Sequence, residues 1–371
     1  MHIGIDASRT TLPQLTGTEY YSLHLIRALA RIDSFNRYTL YYNDPPHKLL
    51  GGTNFSNRIV PARRLWTQVR LAAECLLHHP DVLFVPAHTI PIIRHHKMKT
   101  VVTIHDLGAE YLPQYHQFPQ KLYLNRSTEF VARYATQIIA VSQSTKNDIM
   151  KKFGTDPDRI SVVYEGVDHD RFKPIHDSKV IKAVCSKYSI PDNFILFVGT
   201  IQPRKNLLTL IDAFSHLVRQ NDRLKLQLVL AGKKGWLSDG IYGRPSELGT
   251  ENRVRFLDYV EENDLPHLYN AASVFILPSH YEGFGLPLLE AMACGCPVIA
   301  SNSSSLPELI PSKQQLFETL SSESLSKLIS TMLIDRTFRE KSIMLGIEKA
   351  KQFTWEKCAQ ETLAIFRRIC V

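Results

Sequence analysis

Phe194-Ile195-Leu196-Phe197-Val198-Gly199-Thr200-Ile201-Gln202-Pro203-Arg204-Lys205-Asn206 is the stretch from which the fold of this chain is read. Five apolar residues without alternation suit a strand buried on both faces, as in a parallel sheet, and Gly199 closes the run. The next apolar residues, Leu207, Leu210, Ile211, Phe214, Leu217 and Val218, form one helical stripe, with Asn206 placed to cap it. Strand, glycine-bearing loop and helix make half of a βαβ unit. Arg204 and Lys205 then sit between a strand end and a helix start, where a diphosphate is the natural counterion. An ordinary pair of surface charges is the other reading.

The same rhythm runs outward in both directions. Short β-rich runs are expected at residues 226–231, 254–257, 274–277 and 297–300, and earlier at 3–5, 38–42, 81–85, 100–104 and 137–141. With 371 residues and 44% hydrophobic content, two α/β domains are the natural reading. We place the first at residues 1–172 and the second at 173–352, with the linker in the charged, less regular stretch around 162–188. Residues 18–32 carry a helical pattern after the first strand. An amphipathic helix at 355–369, within the final segment 353–371, is expected to pack back on the first domain.

The richest chemistry lies in residues 278–295, which read as strand end, glycine loop and helix. Pro287 suits a first helical position and Gly295 the residue past the end, so a helix is expected at 287–294. Gly283 and Gly285 allow close backbone approach, and the N–H groups of Phe284, Gly285 and Leu286 face sugar oxygens or a phosphate at the helix start. Glu282 and Glu290 are carboxylates suited to vicinal sugar hydroxyls; a solvated loop residue and a helix charge are the alternatives. His105-Asp106 closes the strand at 100–104, at the carboxyl edge where such sheets bind ligands. A substrate hydroxyl or a backbone carbonyl would equally occupy that histidine.

In this order the residues resemble glycosyltransferase family four, the retaining group 1 enzymes of GT-B fold, in which two Rossmann-like domains have parallel sheets facing a central cleft. Glu282 and Glu290, with seven residues between them, resemble the family's glutamate pair, and Arg204-Lys205-Asn206 its phosphate segment. Glu165-Gly166-Val167-Asp168, Arg171-Phe172, Ser301-Asn302 with Ser304 to Glu308, and Phe353-Thr354-Trp355 match further family stretches. The resemblance implies a hexosyltransferase that uses a nucleotide sugar, GDP- or UDP-linked, and a glycan or lipid-linked glycan acceptor held by the N-terminal domain. It implies that His105, Lys205, Arg204 and Glu282 serve catalysis. It assigns donor binding to Gly17, Val260, Phe284, Gly285, Leu286 and Glu290, with Glu290 on the ribose and the Val260 backbone at the base. The leaving diphosphate, steadied by Arg204 and Lys205, would assist deprotonation of the acceptor, so that catalysis needs neither metal nor other cofactor. Residues 3–7 with Thr16-Gly17, and residues 198–206, resemble bacterial polysaccharide mannosyltransferases, which makes mannose the preferred sugar.

Two departures from the family stand out. Thr16-Gly17-Thr18-Glu19-Tyr20 places Glu19 where a diphosphate would find it unfavourable unless it points elsewhere, and 309–313 lacks the small and acidic residues common there. A nucleotide-sugar epimerase would use the same cleft without an acceptor. A non-catalytic homologue would explain the altered loop.

A net charge of +8 favours anionic partners, but no nucleic-acid-reading motif is present, so none is expected to bind. The start of the chain lacks a secretion-signal pattern and no apolar run reaches the length of a bilayer span, so a cytoplasmic location is expected. Arg58, Arg63, Arg64 and Arg70 surround Leu65 and Trp66. That segment reads either as a peripheral contact to the inner membrane face or as a solvated helix face. The six scattered cysteines read as reduced thiols.

Overall fold

A computed structural model describes the chain except residues 13–16, 47–48, 63–64, 112–119, 222–223 and 371, and the side chains of 109–110 and 120–124. The chain divides into two compact units, Met1–Gly166 with Thr354–Val371, and Val167–Phe353. The first crossing lies ahead of residue 172, in the Glu165-to-Asp168 stretch.

In the first unit, β1 (His2–Asp6), β2 (Arg37–Tyr42), β3 (Phe55–Ile59), β4 (Val82–Val85), β5 (Lys99–Ile104), β6 (Gln137–Ala140) and β7 (Ile160–Val162) form one parallel sheet in the order 3-2-1-4-5-6-7. The order reverses between β1 and β4, which opens a crevice at their carboxyl ends. The edge strands β3 and β7 escape sequence reading: β3 is largely exposed and β7 has three residues. The helix Gly17–Ile32 turns Tyr21, Leu25, Ile26 and Leu29 inward. The final helix, Trp355–Cys370, lies beside it, with the Trp355 ring stacked on His24 at 5.2 Å and edge-on to Tyr21 at 6.0 Å. Phe366 of the same helix meets Phe84 of β4 at 5.3 Å.

Within residues 58–70, Trp66 departs from the membrane-facing reading. Trp66 is 8% exposed, belongs to the core, and donates from Nε1 to the Val60 carbonyl at 2.6 Å. Arg58 pairs with Glu74 at 3.1 Å. An indole buried in this way cannot lie in a lipid interface; Leu65, Val69 and Arg70 remain exposed, while Arg63 and Arg64 lie outside the described residues. Among the described residues no helix is long and apolar enough to cross a membrane.

The second unit holds β8 (Phe194–Val198), β9 (Gln227–Ala231), β10 (Val254–Leu257), β11 (Val274–Leu277), β12 (Val298–Ser301) and β13 (Leu316–Phe317), all parallel, in the order 10-9-8-11-12-13. Its reversal point lies between β8 and β11, so the loops that follow these two strands are neighbours. The helix Leu207–Gln220 buries the whole stripe from Leu207 to Val218. Asn206 does not cap it: held in the left-handed region at φ 55°, it donates to the carbonyls of Pro278 and Thr319 and so ties the β8 loop to the β11 loop. Residues 178–187 are a helix, not a linker. The Asp177 carboxylate accepts from the Lys179 and Val180 amides and caps it, and Ile181, Val184 and Cys185 share its inner face, a short stripe passed over among the lysines.

Candidate active site

The neighbouring loops of the second unit bring three sequence-selected side chains together. Lys205 Nζ lies 2.6 Å from Glu282 Oε1, and Arg204 lies 3.4 Å from Glu282 Oε2 while donating to the Tyr281 carbonyl at 2.8 Å. Ser279 Oγ donates to Glu282 Oε1 at 2.5 Å. Burial by itself would raise the Glu282 pKa, but the charges of Lys205 and Arg204 with these hydrogen bonds outweigh it and hold the carboxyl below its ordinary value. Two cations thus face one internal carboxylate at the carboxyl end of the sheet.

The loop carrying Glu282 is braced by serines that sequence reasoning saw only as a family stretch. Ser304 Oγ accepts from the Glu282 amide at 2.8 Å, Ser305 Oγ reaches the carbonyls of Glu282 and Phe284 at 2.9 and 2.8 Å, and Ser301 Oγ donates to the Ser279 carbonyl at 2.6 Å. Gly285 precedes the helix Leu286–Ala293, one residue earlier than the expected 287–294, at φ 117°. A Cβ there would come within 2.9 Å of Leu306 Cδ2. Gly285→Ala is therefore expected to lower stability by about 1–3 kcal/mol, read by chemical denaturation. Phe284 packs edge-on against Phe353 at 5.9 Å.

On the same helix, Glu290 Oε2 accepts from the Tyr269 hydroxyl at 2.9 Å. Loss of water around the carboxyl pushes its pKa up to about 7, against the hydrogen bond from Tyr269 and the charge of Arg171, which lower it, while Glu262 adds to the rise. If this carboxylate accepts the ribose hydroxyls, affinity for a nucleotide sugar should rise severalfold from pH 6 to 8, with its midpoint near the Glu290 value. Glu290→Gln should flatten the profile. Calorimetry with an esterified diphosphate, which does not titrate in this range, reads the difference. Val260, half-buried, lies just past the carboxyl end of β10. Two Asp-x-Asp spacings occur, at 156–158 and 168–170, and both serve turns: Asp156 accepts from the Asp158 amide, and Asp168 from those of Asp170 and Arg171.

The first unit carries a second cluster at the carboxyl ends of β4 and β5. Both ring nitrogens of His105 are engaged, Nδ1 with Glu165 at 3.2 Å and Nε2 with the Pro86 carbonyl at 3.0 Å. Burial opposes the imidazolium, but Glu165, the Pro86 carbonyl and Asp106 outweigh it and raise the His105 pKa. Tyr21 stands edge-on to this ring at 4.8 Å, and His88, which sequence reasoning passed over, tilts against it at 5.8 Å. Glu19, the awkward residue of the N-terminal loop, is buried and paired with Arg9 at 3.3 Å. Gly17 begins the following helix with nothing within 4 Å of its Cβ position; Thr16 lies outside the described residues.

Residues 15–171 match Glycosyltransferase Family 4, and residues 186–349 match Glycosyl transferases group 1. The O-antigen chain mannosyltransferase B of Escherichia coli is 33% identical over 309 residues, which cover 83% of this chain and 77% of that protein. The serotype-specific mannosyltransferase WbdA of Escherichia coli is 30% identical over 294 residues, 77% of this chain but only 34% of WbdA, so the chain spans about a third of that relative. Among solved structures, sucrose-phosphate synthase from Thermosynechococcus elongatus superposes with a TM-score of 0.77 at 20% identity, covering 99% of this chain and 98% of that one. The chain is a glycosyltransferase of GT-B fold and belongs to glycosyltransferase family four, the group 1 glycosyltransferases.

Proposed function

We propose that the chain transfers mannose, with retention of configuration, from a nucleotide diphosphate sugar to a glycan or lipid-linked glycan acceptor. The observation that carries this reading is the Arg204–Lys205–Glu282 cluster at the reversal point of the second sheet; the kinship to mannosyltransferases supports the choice of sugar. Arg204 and Lys205 take the diphosphate and stabilise the charge that builds on it as the glycosidic bond breaks. Glu282 holds both cations in place beforehand and, with the 284–286 backbone, meets the transferred sugar. Glu290 takes the ribose, the Val260 backbone meets the base, and Gly17 leaves room at the start of its helix. His105 serves catalysis beside the donor sugar near the reaction centre, and the fixed cations do the work a metal ion would otherwise do. In the same reading the enzyme works at the inner face of the membrane, with Leu65, Val69 and Arg70 as the contact groups.

A thermal-shift series with GDP, UDP, ADP and their sugar conjugates tests the donor, because a ligand that binds only the folded state raises its stability. GDP and GDP-mannose are expected to give the largest rise, and NMR of the product is expected to show an α-linked mannoside. No response to any nucleotide, together with no transfer, overturns the reading.

A further inference from the structure

His88 stands just past β4, in a three-residue turn closed by the Thr89 amide donating to the Ala87 carbonyl at 2.9 Å. His88 is the central residue of this turn and is half-buried. The preceding carbonyl, that of Pro86, is held by His105 Nε2 at 3.0 Å, and His105 is itself held by Glu165 at 3.2 Å. The chain Glu165–His105–Pro86 therefore fixes the loop on which His88 rides. Whereas both nitrogens of His105 are committed, no hydrogen bond engages the ring of His88 among the described residues. Its neighbours are the His105 ring at 5.8 Å and the charges of Asp106 and Arg9. Burial, the positive charge of His105 and that of Arg9 lower its pKa to about 4, against the opposing pull of Asp106. Near neutral pH it is then an uncharged imidazole with one donor and one acceptor nitrogen, the pairing that suits a sugar hydroxyl.

We propose that His88, on the loop fixed by the Glu165–His105–Pro86 chain, is the residue of the first unit that binds a hydroxyl of the acceptor sugar. The candidate diphosphate and ribose groups Arg204, Lys205, Glu282 and Glu290 all belong to the second unit, which leaves the acceptor to the first. The inference rests on the mannosyltransferase reading above for the identity of the sugar.

Two measurements test it, with octyl α-mannopyranoside as the acceptor probe. In transfer from GDP-mannose, His88→Ala is expected to raise the acceptor KM at least tenfold and leave the donor KM within twofold. His88→Asn, which keeps a donor and an acceptor, is expected to recover most of the loss. His88→Phe, which fills the same space without nitrogens, is expected to behave like alanine and serves if the alanine variant does not fold. Separately, ligand-observed NMR reads binding of the glycoside without turnover. Binding that His88→Phe abolishes supports the inference even if GDP-mannose proves not to be the donor. Wild-type acceptor KM and wild-type glycoside binding in the His88 variants overturn it while leaving the donor reading intact; a rise in donor KM alone overturns the acceptor assignment.

Discussion

Lys205→Ala is expected to lower kcat by about 10²- to 10³-fold, the scale seen when one preorganised group facing developing charge is removed. The donor KM should change less, because the bound diester already carries its ground-state charge, and the additional charge that Lys205 answers appears only as the sugar departs. The same change strips Glu282 of its 2.6 Å partner and leaves a buried carboxylate with Arg204 and Ser279. The pKa of Glu282 is held below its ordinary value in the folded chain. Its contribution to stability is therefore present above the unfolded value of about 4.3 and is lost only as pH falls through the lower, folded one. Without Lys205 that contribution shrinks, and acid unfolding followed by circular dichroism should begin at a higher pH. The double variant Lys205→Ala with Glu282→Gln reads the stability effect alone: acid stability should return toward wild type, while kcat stays low because both residues serve the transfer. Recovery of kcat in the double variant would mean that Lys205 acts only as a counterion to Glu282.

The second large effect is on folding. In Gly166→Ala the new Cβ would lie 2.3 Å from the Trp355 amide nitrogen and 2.5 Å from the Thr354 carbonyl carbon. Both are backbone atoms, so no side chain can swing aside, and the entry into the final helix has to move. Trp355 would then lose its place on His24 and Tyr21. We expect a loss of about 3 kcal/mol or more, at the upper end for single substitutions, with a red shift of tryptophan emission as the ring gains water. A thermal midpoint within one degree of wild type would show that the loop-to-helix contact yields without strain.

What was legible in the sequence follows from how strongly each residue is constrained. Unbroken apolar runs such as 194–198 and 274–277 have one comfortable destination, the middle of a parallel sheet, and both lie there. β3 turns four of its five residues to solvent and β7 spans three, so neither has the pattern a central strand would impose. Asn206 has the composition of a cap but the geometry of a tether: its amide nitrogen donates to two carbonyls from other loops, and its Oδ1 takes the Thr209 hydroxyl instead of a helix N–H. Trp66 among arginines reads as amphipathic until Val60 is seen to take its indole N–H. At the site, Arg204, Lys205 and Glu282 were identifiable individually, but their mutual pairing depends on a strand order that no local pattern encodes. His88 carried no signal of its own, since an isolated histidine after a strand becomes distinctive only through the turn it occupies and the ring it faces.

The first unit is built from two separate lengths of chain, residues 1–166 and 354 onward, with the whole second unit between them. On the ribosome, the continuous 167–353 unit can complete its sheet as soon as it has emerged, while the first sheet waits for Trp355 and Phe366 to cover Tyr21, His24 and Phe84. The order of synthesis and the order of maturation are thereby reversed: the portion made first is finished last, and a nascent chain stalled before residue 354 would bear a complete second unit beside a first unit with an uncovered apolar flank.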